Sequence, residues 1–117
     1  MTTTQNQFQS KADWIRFFND AYRSTIPHSQ DLNLAPYFLE EFKDHLPEVY
    51  EAIQQFDSFN EDNDPYREHD YGRLTVRGTE VWWKIDYYDF HLQNHSPDPA
   101  DPSVTRRVMT IGIPEDY

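Results

Sequence analysis

Cysteine is absent from this sequence of 117 residues, and so is any long run of apolar residues. The first absence excludes a disulfide framework, a thiolate metal site and a thiol nucleophile. The second leaves no segment of the length that a membrane-spanning helix needs. The opening residues, MTTTQNQFQS, are polar and lack the apolar stretch of a secretory signal peptide. We therefore expect a cytoplasmic protein.

Basic residues are scarce: 10 Lys and Arg stand against 21 Asp and Glu, which gives a net charge of −11. Residues 1–72 carry −9 of this charge and residues 73–117 carry −2. Binding to nucleic acid or to an anionic membrane needs Lys and Arg, so the composition argues against both. A field of one sign steers association with an oppositely charged partner. The charge therefore permits a basic protein or nucleoprotein complex as partner, or serves solubility alone.

Aromatic residues are plentiful, with 8 Phe, 8 Tyr and 3 Trp, and they can bury much apolar area in a short chain. Residues 1–9 are predicted to form a flexible tail and residues 10–117 a single domain. Ser10 suits an N-cap position, with Asp13 three residues later. Apolar residues then recur at intervals of three and four, which predicts an amphipathic helix through about Ser24. Pro27 follows the predicted helix and would end it.

Between Ala35 and Phe59 the apolar residues again follow a helical period. Pro47 suits the first turn of a helix and would disrupt its interior. We therefore predict two helices in this region, separated by a break at residues 44–46. The preceding segment, HSQDLNL, is predicted only as a connection.

From Arg73 onward the period changes to two. RLTVR is predicted as a strand, Arg77-Gly78-Thr79 as a hairpin turn, and EVWWKIDYYDF as an aromatic-rich second strand. A stiff proline-rich loop, NHSPDPADPS, follows, and VTRRVMTIGI is predicted as the third strand. The sequence thus predicts an α+β fold in which N-terminal helices pack on one face of an antiparallel sheet of about three strands. The opposite face would carry Trp82, Tyr88 and Arg106, and we expect an exposed aromatic patch there.

Four charged residues of the predicted strands suggest structural roles. Arg106 and Arg107 are consecutive and so point to opposite sides of a strand. We predict that one of them pairs with Asp86 or Asp89 across the sheet, as an ion pair or a two-pronged clamp.

The chain carries three motifs, DSFNEDNDPYREHDYG, WWKIDYYD and SPDPADPSVTRRVMTI. They resemble, in the same order along the chain, those of an uncharacterised bacterial family, domain-of-unknown-function family 3768. The resemblance covers roughly Val49 to the C-terminus, with a weaker similarity at NDAYR. Between Ser24 and Leu46 that family usually has a glycine-rich turn and a short strand, from which this chain departs. The resemblance implies no activity. Because the family's members are frequent on plasmids and other mobile elements, it implies an inhibitor of host defences, of the anti-CRISPR or anti-restriction type.

One function left open is a metal-dependent hydrolase or nuclease centred on Asp64, His69, Lys84 and Asp86. Carboxylates near His69 could bind a hard divalent cation, but their spacing is not that of an EF-hand. A His69–Asp70 dyad is disfavoured, since neighbours on an extended chain point apart. We predict no cofactor.

The preferred hypothesis is a non-catalytic acidic protein that binds a basic protein or nucleoprotein complex and imitates the charge of DNA. The NEDNDPYREHDYG stretch would be an ordered acidic loop between helix and sheet. Carboxylates at intervals of three or four would line one face of a helix. The oligomeric state is left open. The predicted partner-binding residues are Glu41, Asp44, Glu48, Glu51, Glu61, Asp62, Asp64, Glu68, His69, Asp70, Trp82 and Tyr88.

Overall fold

The computed structural model describes residues 10–28 and 31–117. The tail predicted for residues 1–9 lies outside the described residues. The described chain forms three α-helices, four strands and two short 3₁₀ turns, and it is an α+β fold as predicted. The helices are α1 (Lys11–Ser24), α2 (Pro36–Phe42) and α3 (Leu46–Gln54), and the strands are β1 (Asp31–Leu34), β2 (Tyr71–Val76), β3 (Thr79–Tyr88) and β4 (Arg106–Gly112).

The helices begin and end close to the predicted positions. The Ser10 side chain accepts a hydrogen bond from the Asp13 N–H at 3.2 Å, which caps the first turn of α1. The predicted break between the next two helices is confirmed, because α2 ends at Phe42 and α3 begins at Leu46. Pro47 lies in the first turn of α3, where its missing N–H costs nothing.

The sheet has the order β1-β4-β3-β2 and is mixed, which corrects the predicted antiparallel sheet of about three strands. The hairpin of β2 and β3 turns at Arg77 and Gly78, both with positive φ, as a tight two-residue turn requires. β4 pairs antiparallel with β3, and β1 pairs parallel with β4. β1 was missed because it has only four residues, too few to show a strand period.

The core lies between one face of the sheet and the helices, as predicted. Fully buried residues from the strands include Val81, Trp83 and Met109, and Phe38 and Val49 meet them from α2 and α3. Leu32 and Leu34 of β1 also pack against this cluster, so the missed strand completes the core.

The expected exposed aromatic patch on the other face is wrong. Trp82 is only 6% exposed. Its ring stacks on Tyr117 and its Nε1–H donates to the Ile113 carbonyl at 2.9 Å, so the C-terminal segment covers it. Gly112 lies against the same indole, where any larger side chain would overlap the ring. Tyr88 is half-buried.

The predicted pairing of an arginine with Asp86 or Asp89 is also wrong. Arg106 instead binds Asp31 of β1 through two hydrogen bonds of 2.7 and 3.0 Å. Asp86 pairs with Lys84 of its own strand at 3.0 Å. Asp89 accepts the N–H groups of the loop that follows it. The error follows from the missed strand, since β1 lies next to β4 and supplies the carboxylate.

Candidate functional site

The acidic loop, residues 57–70, is ordered by its own side chains. The Asn60 Oδ1 accepts hydrogen bonds from the N–H groups of Asp62 and Asn63, and the Asn63 amide donates to the Ser58 carbonyl at 2.8 Å. Short polar side chains commonly bond to nearby backbone in this way. The loop therefore has a defined conformation between α3 and β2.

Asp64 organises the second half of this loop. The residue is 5% exposed, and its Oδ1 accepts the N–H groups of Glu68 at 3.0 Å and His69 at 3.1 Å. Arg67 and His69 both have positive φ, at 59° and 57°, a conformation that residues other than glycine rarely adopt. The two N–H bonds to Asp64 help to hold the backbone in this form.

His69 connects the loop to α1. Its Nδ1 lies 2.8 Å from the Asp20 Oδ1, and its Nε2 lies 3.7 Å from the Asp64 Oδ2. The imidazole stacks on the Phe59 ring with centroids 3.7 Å apart. The sequence analysis did not identify Asp20 as a partner of His69, because the two residues are 49 positions apart in the chain. The only signal for it in the sequence was the weak similarity at NDAYR. His69 thus pairs with Asp20 and not with its neighbour Asp70.

A pocket of about 730 Å³ opens beside these groups. Its lining includes Arg16, Phe59, Glu61, Asp64, Arg67 and His69. The Arg16 guanidinium is already used, since it donates to the Arg67 carbonyl at 2.9 Å and to Asp13 at 2.7 Å. The Arg67 guanidinium has no hydrogen bond or ion pair with any residue that the structure describes.

A buried polar network lies behind the loop. Asn19 is fully buried, and its amide donates to the Glu68 carbonyl at 3.0 Å and to the Tyr87 hydroxyl at 2.8 Å. The Arg107 Nε–H donates to the Asn19 Oδ1 at 2.7 Å. Burial raises the pKa of Tyr87 and lowers the pKa of Arg107. The sequence singled out Arg107 and Glu68 but not Asn19 or Tyr87.

Asp70 ends the loop in an acidic setting. Burial, followed by the nearby charges of Glu68, Asp64 and Asp86, raises the pKa of its carboxyl above the ordinary value. The Asp70 carbonyl also accepts the Ile85 N–H at 2.8 Å, which ties the loop to the sheet. Asp64, Glu68, His69 and Asp70 are therefore all parts of the loop's framework.

Other predicted partner-binding carboxylates are exposed. The expected single row on one helix is wrong, because Glu41 lies on α2, Asp44 lies between the helices, and Glu48 and Glu51 lie on α3. Glu48 is exposed but bonds to Arg77 at 2.9 Å. Within residues 10–28 and 31–117 the rest form no ion pair or side-chain hydrogen bond. We call them the acidic surface: Glu41, Asp44, Glu51, Glu61 and Asp62.

The residues of the hydrolase alternative form two pairs. Asp64 and His69 lie in the loop, whereas Lys84 and Asp86 pair on β3. In the described part of the chain, no three His, Asp or Glu side chains are placed to hold a metal ion. No helix among the described residues is long and apolar enough to cross a membrane.

Comparison with protein families matches residues 37–116 to the family described as "Protein of unknown function (DUF3768)". The chain belongs to this family. The match begins before Val49, so α2 and α3 are part of the family region. α1, which supplies Asp20 and Asn19, precedes it. No curated protein and no solved structure matches the chain at a significant level.

Proposed function

We propose that this protein is a non-catalytic interaction protein whose acidic surface binds a basic protein or a nucleoprotein complex. The observation that carries the proposal is the set of five exposed carboxylates without an ion partner in the described part of the chain. The proposal includes a cytoplasmic location and no direct contact with nucleic acid, in keeping with the net charge of −11.

The distribution of ion pairs supports this proposal. Carboxylates that join elements of the fold are paired, as Asp31 of β1 is with Arg106 of β4 and Asp20 of α1 is with His69 of the acidic loop. Residues 40–72, in contrast, hold 11 acidic side chains and only Lys43 and Arg67 as basic ones. An excess of one charge repels itself within the fold, and the same field attracts a basic partner.

Charge mimicry of DNA is the specific form that we propose. Duplex DNA carries a negative charge about every 1.7 Å along its axis, and a protein that binds DNA has Lys and Arg arranged to meet it. Exposed carboxylates can engage the same basic groups. A partner of this kind in a host defence complex would be inhibited by occupation of its nucleic-acid site.

The hydrolase alternative has one observation in its favour. His69 is oriented by Asp20 through the 2.8 Å contact, as a general base would be, and it lines a pocket. The described lining of the pocket contains no Ser, Thr or Cys, and no three His, Asp or Glu side chains of the described residues are placed to hold a metal ion. We therefore keep the binding function as the conclusion.

The test is a pull-down from nuclease-treated host lysate at low and moderate salt. One bait is the wild-type chain, and the other carries Glu41→Gln, Asp44→Asn, Glu51→Gln, Glu61→Gln and Asp62→Asn, which changes the net charge from −11 to −6. We expect the wild type alone to retain a basic, nucleic-acid-binding protein, and less of it as salt increases. Equal retention by both baits, or retention of nothing, would contradict the proposal.

A further inference from the structure

We infer that the pocket beside His69 receives the guanidinium group of an arginine from the basic partner. This inference rests on the proposed function and adds a specific site to it. The acidic surface would supply long-range attraction, and the pocket would supply the contact that selects arginine. We call this cavity, lined by Arg16, Phe59, Glu61, Asp64, Arg67 and His69, the His69 pocket.

When His69 is neutral, two acceptor atoms at the pocket receive no hydrogen bond from the described residues. The Asp64 Oδ1 accepts two backbone N–H groups, whereas its Oδ2 accepts no hydrogen bond from any residue that the structure describes. A carboxylate can only accept, so the 2.8 Å contact with Asp20 places the hydrogen of a neutral His69 on Nδ1. The Nε2 then carries a lone pair 3.7 Å from the Asp64 Oδ2.

These two acceptors belong to a side chain that is 95% buried and to an imidazole held between Asp20 and Phe59. Neither atom is among the fully buried polar atoms that lack a partner, so solvent can reach both, and the N–H groups of a ligand would take the place of that solvent. A ligand that brings two N–H groups at once would satisfy both atoms. The pocket therefore favours a donor ligand over an anionic one.

The charges that remain in the pocket, after those used in internal pairs are set aside, also favour a cationic ligand. Arg16 is used by Asp13 and by the Arg67 carbonyl, and Asp20 is used by Arg23 and His69. Asp64 and Glu61 remain as negative groups in the lining. Arg67 remains as a positive group that is exposed and without a partner among the described residues. The remaining charge is negative, and Arg67 opposes a cationic ligand.

Guanidinium fits better than ammonium for two reasons. Its N–H groups are held in a rigid plane and can reach two acceptors side by side, as in arginine–carboxylate pairs. It is also more weakly hydrated than an ammonium ion, so it loses less on entering a pocket. A lysine could neutralise Asp64 but would not match the two acceptors as well.

The test is an NMR titration of the full chain with N-acetyl-arginine amide, followed through the backbone amides of the acidic loop and the ring nitrogens of His69. N-acetyl-lysine amide and inorganic phosphate are the comparison ligands. We expect saturable shifts at residues 59–69 and at the His69 Nε2 with the arginine probe, about fivefold or more weaker binding of the lysine probe, and no binding of phosphate.

Three variants test which charged residue determines binding of the arginine probe in the His69 pocket. Arg67→Ala is expected to tighten binding of the arginine probe several-fold, Glu61→Gln to weaken it, and Asp64→Asn to reduce it by about tenfold or more. Glu61 is exposed and makes no side-chain bond among the described residues, so its variant keeps the fold even if Asp64→Asn loosens the loop.

Binding of phosphate that Arg67→Ala abolishes would overturn the inference, because the pocket would then be an anion site. Absence of any shift with the arginine probe would also overturn it. Either result leaves the acidic surface to be judged separately by the pull-down, because four of its five substituted positions lie outside the pocket lining and only Glu61 is shared. If the wild-type bait retains no basic protein although the arginine probe binds, the pull-down contradicts the proposed function while the titration still supports the arginine site.

Discussion

Asn19 is the residue on which the buried polar contacts converge. Its side chain joins the acidic loop through the Glu68 carbonyl, β3 through the Tyr87 hydroxyl and β4 through Arg107. Every polar atom of this amide has a partner, and the partners are themselves buried or half-buried. Asn19 therefore links the loop of the candidate site to the sheet.

Replacing Asn19 by alanine removes the acceptor of the buried Arg107 Nε–H and the donor to the Tyr87 hydroxyl. Tyr87 then keeps only its bond to Glu68, and Arg107 keeps its bond to the Pro99 carbonyl. We expect Asn19→Ala to lower the free energy of unfolding by about 2–4 kcal/mol, measured by urea denaturation. Asn33→Ala is the control, since Asn33 is exposed and reaches Thr110 only at 3.5 Å, and it should cost less than about 0.5 kcal/mol. Equal effects of the two substitutions would contradict this role of Asn19.

Asp70 is expected to make the stability of the fold depend on pH. Its pKa is raised in the folded state, first by burial and then by Glu68, so the folded chain holds this proton more tightly than the unfolded chain does. The contribution of Asp70 to stability is thus fully present below the unfolded pKa and is lost as pH rises through the folded pKa.

We therefore expect Asp70→Asn to raise the melting temperature at neutral pH, with the gain disappearing as the pH falls towards about 4.

Asp101 provides the opposite case, because hydrogen bonds from Ser103 lower its pKa. Asp101→Ala should lower the melting temperature at neutral pH and lose that effect in acid. Melting curves of both variants from pH 3 to 8 measure the two signs, and a gain for Asp70→Asn that persists in acid would refute this reasoning.

At the scale of elements, α1 and α3 are joined by one side chain. The Arg23 guanidinium donates to the carbonyls of Ile53, Gln54 and Phe56, where the end of α3 leaves acceptors free. It also lies over the rings of Phe59 and Trp83 at 5.4 and 5.3 Å. Arg23 therefore caps α3 from outside it and supports the start of the acidic loop.

Arg23→Lys keeps the charge but loses the planar fork that reaches several carbonyls together. We expect it to lower the free energy of unfolding by about 2 kcal/mol, and to increase amide hydrogen exchange at residues 53–56. Arg77→Lys is the matched control at the exposed pair with Glu48, and it should change stability by less than about 0.5 kcal/mol. Unchanged exchange at the end of α3 would count against the capping role.

Elements with a strong local period were predictable from the sequence. The helices around Ile15 and Val49 and the β2–β3 hairpin have clear periods and clear turn residues. β1 was not predictable, because four residues pairing parallel with β4 depend on a distant part of the chain. Trp82 was assigned to the correct face, but the covering by Tyr117 is a tertiary contact that no local pattern indicates.

The candidate site also has a part that was predictable from local sequence and a part that was not. The acidic loop was predicted as ordered because its Asp, Asn and Pro residues favour turns within a short segment. Its anchors were not predicted, since Asp20, Asn19 and Arg23 come from a helix more than 30 residues earlier in the chain. The roles of Arg106 and Arg107 were wrong in detail for the same reason.

For the whole molecule, the central feature is where the charge is left unpaired. Ion pairs hold Asp31, Asp20 and Glu48, while the acidic surface has no partner in the described part of the chain. If the charge served solubility alone, its position would not matter. If it serves binding, carboxylates of the acidic surface should differ from exposed carboxylates elsewhere.

The measurement that tests this most directly compares two baits of equal net charge. One carries Glu61→Gln and Asp62→Asn, and the other carries Glu80→Gln and Glu115→Gln, so each has a net charge of −9. We expect the first bait to retain much less of the basic partner from nuclease-treated lysate than wild type does, and the second to retain it almost fully. Equal retention by the two baits would contradict the account, because position would then have no effect.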